Sequence, residues 1–107
     1  MTTVATSDQA ERLATALVEE EWVACAQILP SMQSIYRWQG SLERSSEQLI
    51  LLKTTAAAYV GVEQRLRQLH PYQEPEILAI PASAVSSSYL AWVLEQTASR
   101  QGSPPSG

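Results

Sequence analysis

A chain of 107 residues has room for one domain with a genuine core, and its net charge of −4, seven basic against eleven acidic side chains, comes with no basic stripe for nucleic acid or an anionic membrane. No apolar run approaches the length of a membrane span and the N-terminus lacks the charged and apolar regions of a secretory signal, so the expected location is cytoplasmic. The single cysteine, Cys25, cannot form an internal disulfide, which suits a reducing compartment and leaves either a buried small side chain or a soft metal ligand.

Thr6, Ser7 and Asp8 read as a helix start, with Thr6 and Gln9 at capping-box spacing. Ala10, Leu13, Ala14, Leu17 and Val18 then make one apolar stripe on a helix ending near Glu21. From Val23 to Trp38 the chain is rich in strand formers, interrupted at Pro30-Ser31, where a bend or an edge position tolerates the missing donor. Gln39-Gly40 marks a hairpin turn, and Glu47 to Thr54 the returning strand, because Leu49-Ile50-Leu51-Leu52 is too short a run for a buried helix. A second helix carries Tyr59, Val62, Leu66 and Leu69 on one face, with Gly61 as a tolerated weak spot.

That helix stops at His70-Pro71-Tyr72-Gln73-Glu74-Pro75-Glu76. Two prolines force a shaped turn there, carrying an imidazole, a phenol and carboxylates, and such a turn is either a functional site or a polar helix stop. A strand from Glu76 to Ile80 follows, then a short helix from about Ser86 to Thr97 bearing Tyr89, Leu90, Val93 and Leu94. These elements make one domain over residues 1–98, with 99–107 expected to be a disordered tail because Gly102-Ser103-Pro104-Pro105-Ser106-Gly107 has no apolar side chain to dock. The order strand, helix, strand, strand, helix, strand is a doubled unit. It predicts an α+β fold of ferredoxin-like split β-α-β architecture, an antiparallel sheet with helices on one face.

Ala24-Cys25-Ala26 with Ile28-Leu29-Pro30, then Ser34-Ile35-Tyr36-Arg37-Trp38-Gln39-Gly40, Leu51-Leu52-Lys53-Thr54, the His70 to Glu76 turn and Tyr89-Leu90-Ala91-Trp92 resemble, in order and spacing, the CutA divalent-ion-tolerance proteins. The resemblance runs from Thr2 to about Thr97. It implies a ferredoxin-like subunit in a tight homotrimer, linked in bacteria to tolerance of copper and other divalent metals, with no established reaction and no organic cofactor. It also implies that a divalent ion, copper foremost, is bound by the cysteine, the histidine of the turn and nearby carboxylates, here Cys25, His70 and Glu76. Many relatives have a second histidine just before the one in the turn, where this chain has Leu69. Relatives also usually carry several more apolar residues before the equivalent of Thr2-Thr3-Val4, so the first strand, central in this fold, reads as truncated. Unpaired backbone groups on its neighbours would cost about 1 to 3 kcal/mol each if buried.

Each candidate residue has a plainer reading beside the functional one. Cys25 as a thiolate suits copper or zinc, and as a thiol fills space. His70 is a ligand, or it caps the end of its helix. Glu76 supplies a hard oxygen, or it pairs with Lys53 across the sheet. Tyr36, Trp38, Tyr72 and Trp92, prominent in a chain without Phe, line a cleft with Lys53 and Glu76 as polar handles, or else a subunit interface. The hairpin from Val23 to Thr54 is longer than a small sheet needs, and its outer half is expected to pair with another subunit near Trp38.

No enzyme is expected. The chain has no Gly-rich phosphate loop, no serine elbow and only one histidine, and one Cys with one His falls short of a closed zinc site. The expected partners are copies of the chain itself, with no nucleic acid and no membrane. The alternative is a trimeric signalling module that binds a small anionic or nucleotide-like effector between subunits, for which Lys53, Arg37 and Arg44 supply few cations.

Overall fold

The protein is described here by a computed structural model covering residues 1–101. Its elements are β1 (Thr2–Val4), α1 (Ser7–Glu19), β2 (Cys25–Ile28), β3 (Met32–Trp38), β4 (Ser41–Lys53), α2 (Tyr59–Leu69), α3 (Ser87–Gln96) and a final 3-10 turn at Ala98–Arg100. α1 starts at the expected cap, Thr6, with the reciprocal side-chain bond falling one residue ahead of it. The Thr6 hydroxyl accepts from the Gln9 amide at 3.2 Å, and Gln9 Oε1 accepts from the Ala5 amide at 3.2 Å. Ala10, Leu13, Ala14 and Leu17 are buried, whereas Val18 lies off the stripe at 39% exposure.

β4 is the hub of the sheet. Its inner half pairs antiparallel with β1 on one side, through Thr2↔Ile50 and Val4↔Gln48, and with β2 on the other, through Cys25↔Lys53 and Ile28↔Ile50. Its outer half pairs with β3 from Met32↔Glu47 to Trp38↔Ser41, so the returning strand begins at Ser41 rather than at Glu47. The sum of paired residue numbers rises by one between Ile28↔Ile50 and Met32↔Glu47, which places one extra residue at the Leu29-Pro30-Ser31 bend. Beyond the bend, β3 and outer β4 leave the body as a hairpin arm. Its two-residue turn puts Gln39 at φ 50° and Gly40 at φ 84°, the left-handed pair that matches strand twist.

α1 packs on β1, β2 and β4, and α2 packs on α1. Val4 and Ile50 from the sheet meet Leu13 and Leu17 of α1 and Val62 and Leu66 of α2 in one core. Side chains alternate along β4, so Leu49, Leu51 and Lys53 point away from that core, beside Cys25, and stay half-exposed. This is the helices-on-one-face arrangement of the ferredoxin-like order.

Three expectations need correction. The Glu76–Ile80 segment lies beside β1 but is not a regular strand, because it exchanges backbone bonds only between Leu78 and Met1 (Leu78 amide to Met1 carbonyl, 3.1 Å; Met1 amine to Leu78 carbonyl, 2.6 Å). Further along β1 the Thr3 carbonyl is already occupied by His70 at 2.9 Å, and the pairing stops there. Residues 99–101 are docked rather than disordered: the Arg100 guanidinium stacks 3.9 Å over the Trp22 ring and its Nε donates to the Glu20 carbonyl, while Ser99 Oγ bonds Glu21 at 2.8 Å. The expectation for 102–107 lies outside the described residues. Finally, Gly61 is a packing requirement, since a Cβ there would collide with the Trp22 ring.

Candidate functional site

The His70 turn is built around a hydrogen-bonded imidazole. His70 closes α2 as its C-cap, with extended backbone, and Pro71 holds it there. Nδ1 accepts from the Tyr72 amide at 3.1 Å, which leaves the proton on Nε2. Nε2 donates to the Thr3 carbonyl at 2.9 Å, with Thr2 Oγ1 at 3.0 Å. The side chain therefore ties the end of α2 to β1, across 67 positions of sequence, and does not turn back to the helix carbonyls. Burial pushes its pKa below the ordinary value, against weaker upward pulls from the Thr3 carbonyl and Glu47.

Tyr72 extends the network. Its hydroxyl donates to Glu47 Oε2 at 2.8 Å and its ring meets the His70 ring edge-on at 4.9 Å between centroids. Burial, and then the Glu47 carboxylate, raise the phenol's pKa. Glu47 itself is only 8% exposed and forms no ion pair among the described residues. It was not singled out in the sequence, although it occupies an outward position in phase with Leu49 and Leu51, where a lone acid stands out.

The three expected metal ligands are not brought together in one chain. Cys25 sits half-buried on β2, the far edge of the sheet, directly opposite Lys53 on β4. Glu76 sits beyond β1 at the other edge, where its charge acts on the Met1 amine. Three strand spacings of roughly 4.8 Å each separate those edges. Both nitrogens of His70 are taken. Among the described residues no group of three His, Cys, Asp or Glu could hold a metal ion, so the donor set does not fit a metal within a single chain. Nor does Glu76 reach Lys53: among the described residues the ion pairs are Arg65–Glu20 and Arg67–Glu63.

The aromatic group is dispersed as well. Tyr36 is on the arm, opposite Glu43, with its hydroxyl 3.4 Å from Ser45 Oγ. Trp38 is beside the hairpin turn, opposite Ser41, and Lys53 is at the other end of the same strand. Trp92 is on α3, tilted against Tyr89 at 5.7 Å. Spread between the arm, the inner end of β4 and α3 of a molecule 48 Å long, these residues form no shared cleft among the described residues of one chain. A hollow of about 400 Å³ between the end of α1 and α3 is lined by Glu19, Glu21 and Glu95 and contains none of them. Arg37 and Arg44 lie on the arm and Lys53 at the inner end of β4, so the cations do not converge on an effector anion either.

Fold and site together define a ferredoxin-like α+β domain whose buried polar side chains brace the sheet and which leaves several large apolar side chains exposed. Residues 1–96 match the family model described as CutA1 divalent ion tolerance protein. The chain is 44% identical over 95 residues to the divalent-cation tolerance protein CutA of Thermus thermophilus, spanning 89% of this chain and 92% of that one. It is 40% identical over 84 residues to its namesake in Pectobacterium atrosepticum, spanning 78% and 76%. Among solved structures, the Thermus thermophilus protein superposes with a TM-score of 0.87 at 44% identity, over 90% of this chain and 93% of that one. The Synechococcus elongatus CutA gives 0.85 at 40% identity, over 90% and 85%. The chain belongs to the CutA1 divalent-ion-tolerance family.

Proposed function

We propose that this chain serves divalent-cation tolerance as a non-catalytic, cytoplasmic homotrimer. The observation that carries this reading is the apolar surface one chain leaves uncovered. Leu42 on the arm is 62% exposed, Ile80 is 70% exposed, and Tyr89, Leu90, Trp92 and Leu94 on α3 are each about two-fifths exposed. The sheet also has a free edge at β2 and another beyond β1. Uncovered edges and patches of this kind invite uncontrolled pairing. A head-to-tail ring, with the β2 edge of one copy added to the 76–80 edge of the next, covers both edges and closes on itself. Light scattering at micromolar concentration is expected to give three times the 11.7 kDa chain mass, and a monomer would overturn the reading.

The ring also bears on the metal. Ile77 packs on the core and Glu76 beside it is exposed, at the sheet edge opposite the one that carries Cys25. Joining the two edges brings Cys25 of one copy toward Glu76 of the next, and copper is the ion that a thiolate favours most among the divalent first-row metals. His70 then has a structural role. In a calorimetric copper titration of the purified oligomer, Cys25→Ser and Glu76→Gln are each expected to weaken binding by at least about tenfold, roughly 1.4 kcal/mol. His70→Gln, measured above pH 7 where the fold is intact, leaves the affinity unchanged. Wild-type affinity in Cys25→Ser would rule out the shared site.

A further inference from the structure

Helix α3 is held to the body near one end. From Leu78 to Trp92 every residue is exposed, and α3 buries a single side chain, Val93. The hold begins after that point. Thr97, fully buried, closes the helix with its hydroxyl on the Val93 carbonyl at 2.8 Å. The 3-10 turn then lays three polar side chains on the body: Ser99 Oγ donates to Glu21 at 2.8 Å, Arg100 Nε to the Glu20 carbonyl at 3.0 Å, and Gln101 Oε1 accepts from Thr55 Oγ1 at 2.9 Å. Charge opposes this docking. Glu95 and Gln96 of α3 line one hollow with Glu19 and Glu21 from the end of α1, and neither helix has a basic residue in its last turn. Two helix ends of negative partial charge thus meet beside three carboxylates. Arg100 supplies the missing cation. It satisfies a terminal carbonyl of α1 and lies 3.9 Å over the Trp22 ring, whose Nε1 donates to Glu20, itself held by Arg65.

We propose that Arg100 is a latch for α3: with its guanidinium seated on Trp22 and the end of α1 the helix closes the hollow, and when it leaves that seat α3 swings out as a unit. The seat belongs to the body, because Trp22 packs on the core and against Gly61. The lid does not. That core draws its buried side chains from the sheet, the two long helices and the chain between them, and none from α3, so the body has no reason to open when the helix does. The exposed run ahead of the helix, where residues 81–86 have no regular structure, is the hinge. A planar guanidinium suits the seat, since it stacks flat on an indole while its Nε keeps a hydrogen bond in the ring plane of the fork. The latch lies within one chain, goes beyond the proposed function, and holds whether or not copies associate.

Hydrogen exchange read by mass spectrometry on the intact purified protein, at one concentration, tests the latch. In Arg100→Ala the amides of residues 87–96 are expected to exchange at least about tenfold faster than in wild type, while those of residues 47–53 keep the wild-type rate. Arg100→Lys keeps the charge and loses the flat stack, and gives a smaller acceleration in the same place. Glu95→Gln removes one of the repelling carboxylates and, added to Arg100→Ala, recovers part of the protection. Unchanged exchange at 87–96 in Arg100→Ala overturns the latch. Acceleration of 47–53 by the same factor overturns it too, since α3 would then open only with the whole fold. A double variant as fast as Arg100→Ala would mean that no repulsion works against the seat, and counts against the latch in the same way.

Discussion

Replacing His70 by Ala is expected to lower the free energy of unfolding by about 3 kcal/mol, read from urea or thermal melts, because the ring supplies one buried and one partly buried hydrogen bond and fills its own volume. Without it the Thr3 carbonyl and the Tyr72 amide both lose their partners, and β1 loses the group that completes its outer side. The ring also makes stability depend on pH. Burial holds the folded imidazole below its ordinary value of 6.5, so on acidification the unfolded chain takes up the proton first. The contribution is complete above 6.5 and is lost as pH falls toward the folded value, since stability rises with pH wherever the unfolded state binds more protons. The melting temperature of wild type therefore drops between pH 7 and 5 by more than that of His70→Gln. Parallel pH curves for the two proteins would mean that the ring is already free to ionise in the fold.

Gly61→Ala is expected to destabilise the protein even though Ala is the better helix former by about 1 kcal/mol. The new methyl group enters the space of the Trp22 ring. Overpacking of this kind costs about 1 to 3 kcal/mol, so the steric loss exceeds the gain in propensity. The loss also spreads, because the same ring carries the Arg100 guanidinium on its surface and donates from Nε1 to Glu20, itself held by Arg65 at 2.8 Å. A lower melting temperature with a shift in tryptophan emission is the expected result. A more stable Gly61→Ala would show that the ring moves aside at no cost.

The parts of the fold that were legible in the sequence depend on near neighbours. Thr6 and Gln9 announce the start of α1, the spacing of Leu13 and Leu17 gives its buried side, and Gln39-Gly40 marks the hairpin, because each signal is complete within a few residues. The beginning of β4 was hidden: Ser41 to Ser46 hold a single apolar side chain, Leu42, with no alternation, and only pairing with β3 makes them a strand. The Glu76–Ile80 segment misleads for the converse reason, since its local pattern is right for a strand but it shares only one pair of backbone bonds, with Met1 just ahead of β1. The candidate site was legible in its residues and not in their roles. His70 was conspicuous beside Pro71, yet its bond to Thr3 spans most of the chain, and nothing near Glu47 in the sequence points to Tyr72. The docked end of the chain is equally remote: Arg100 meets Trp22 from the opposite end of the molecule's sequence.

Strand β4 runs without interruption from the tip of the arm to the edge of the core, and it is one beam with two loads. The backbone that carries Glu43 among exposed side chains carries Ile50, fully buried, only seven positions later. A hinge between them would let the arm swing while the body stayed still. A continuous strand instead passes force along its length, so a grip on the arm also steadies the hydrogen bonds on either side of Ile50. Amide exchange at Ile50 is therefore expected to slow when the arm is held, far from the point of contact.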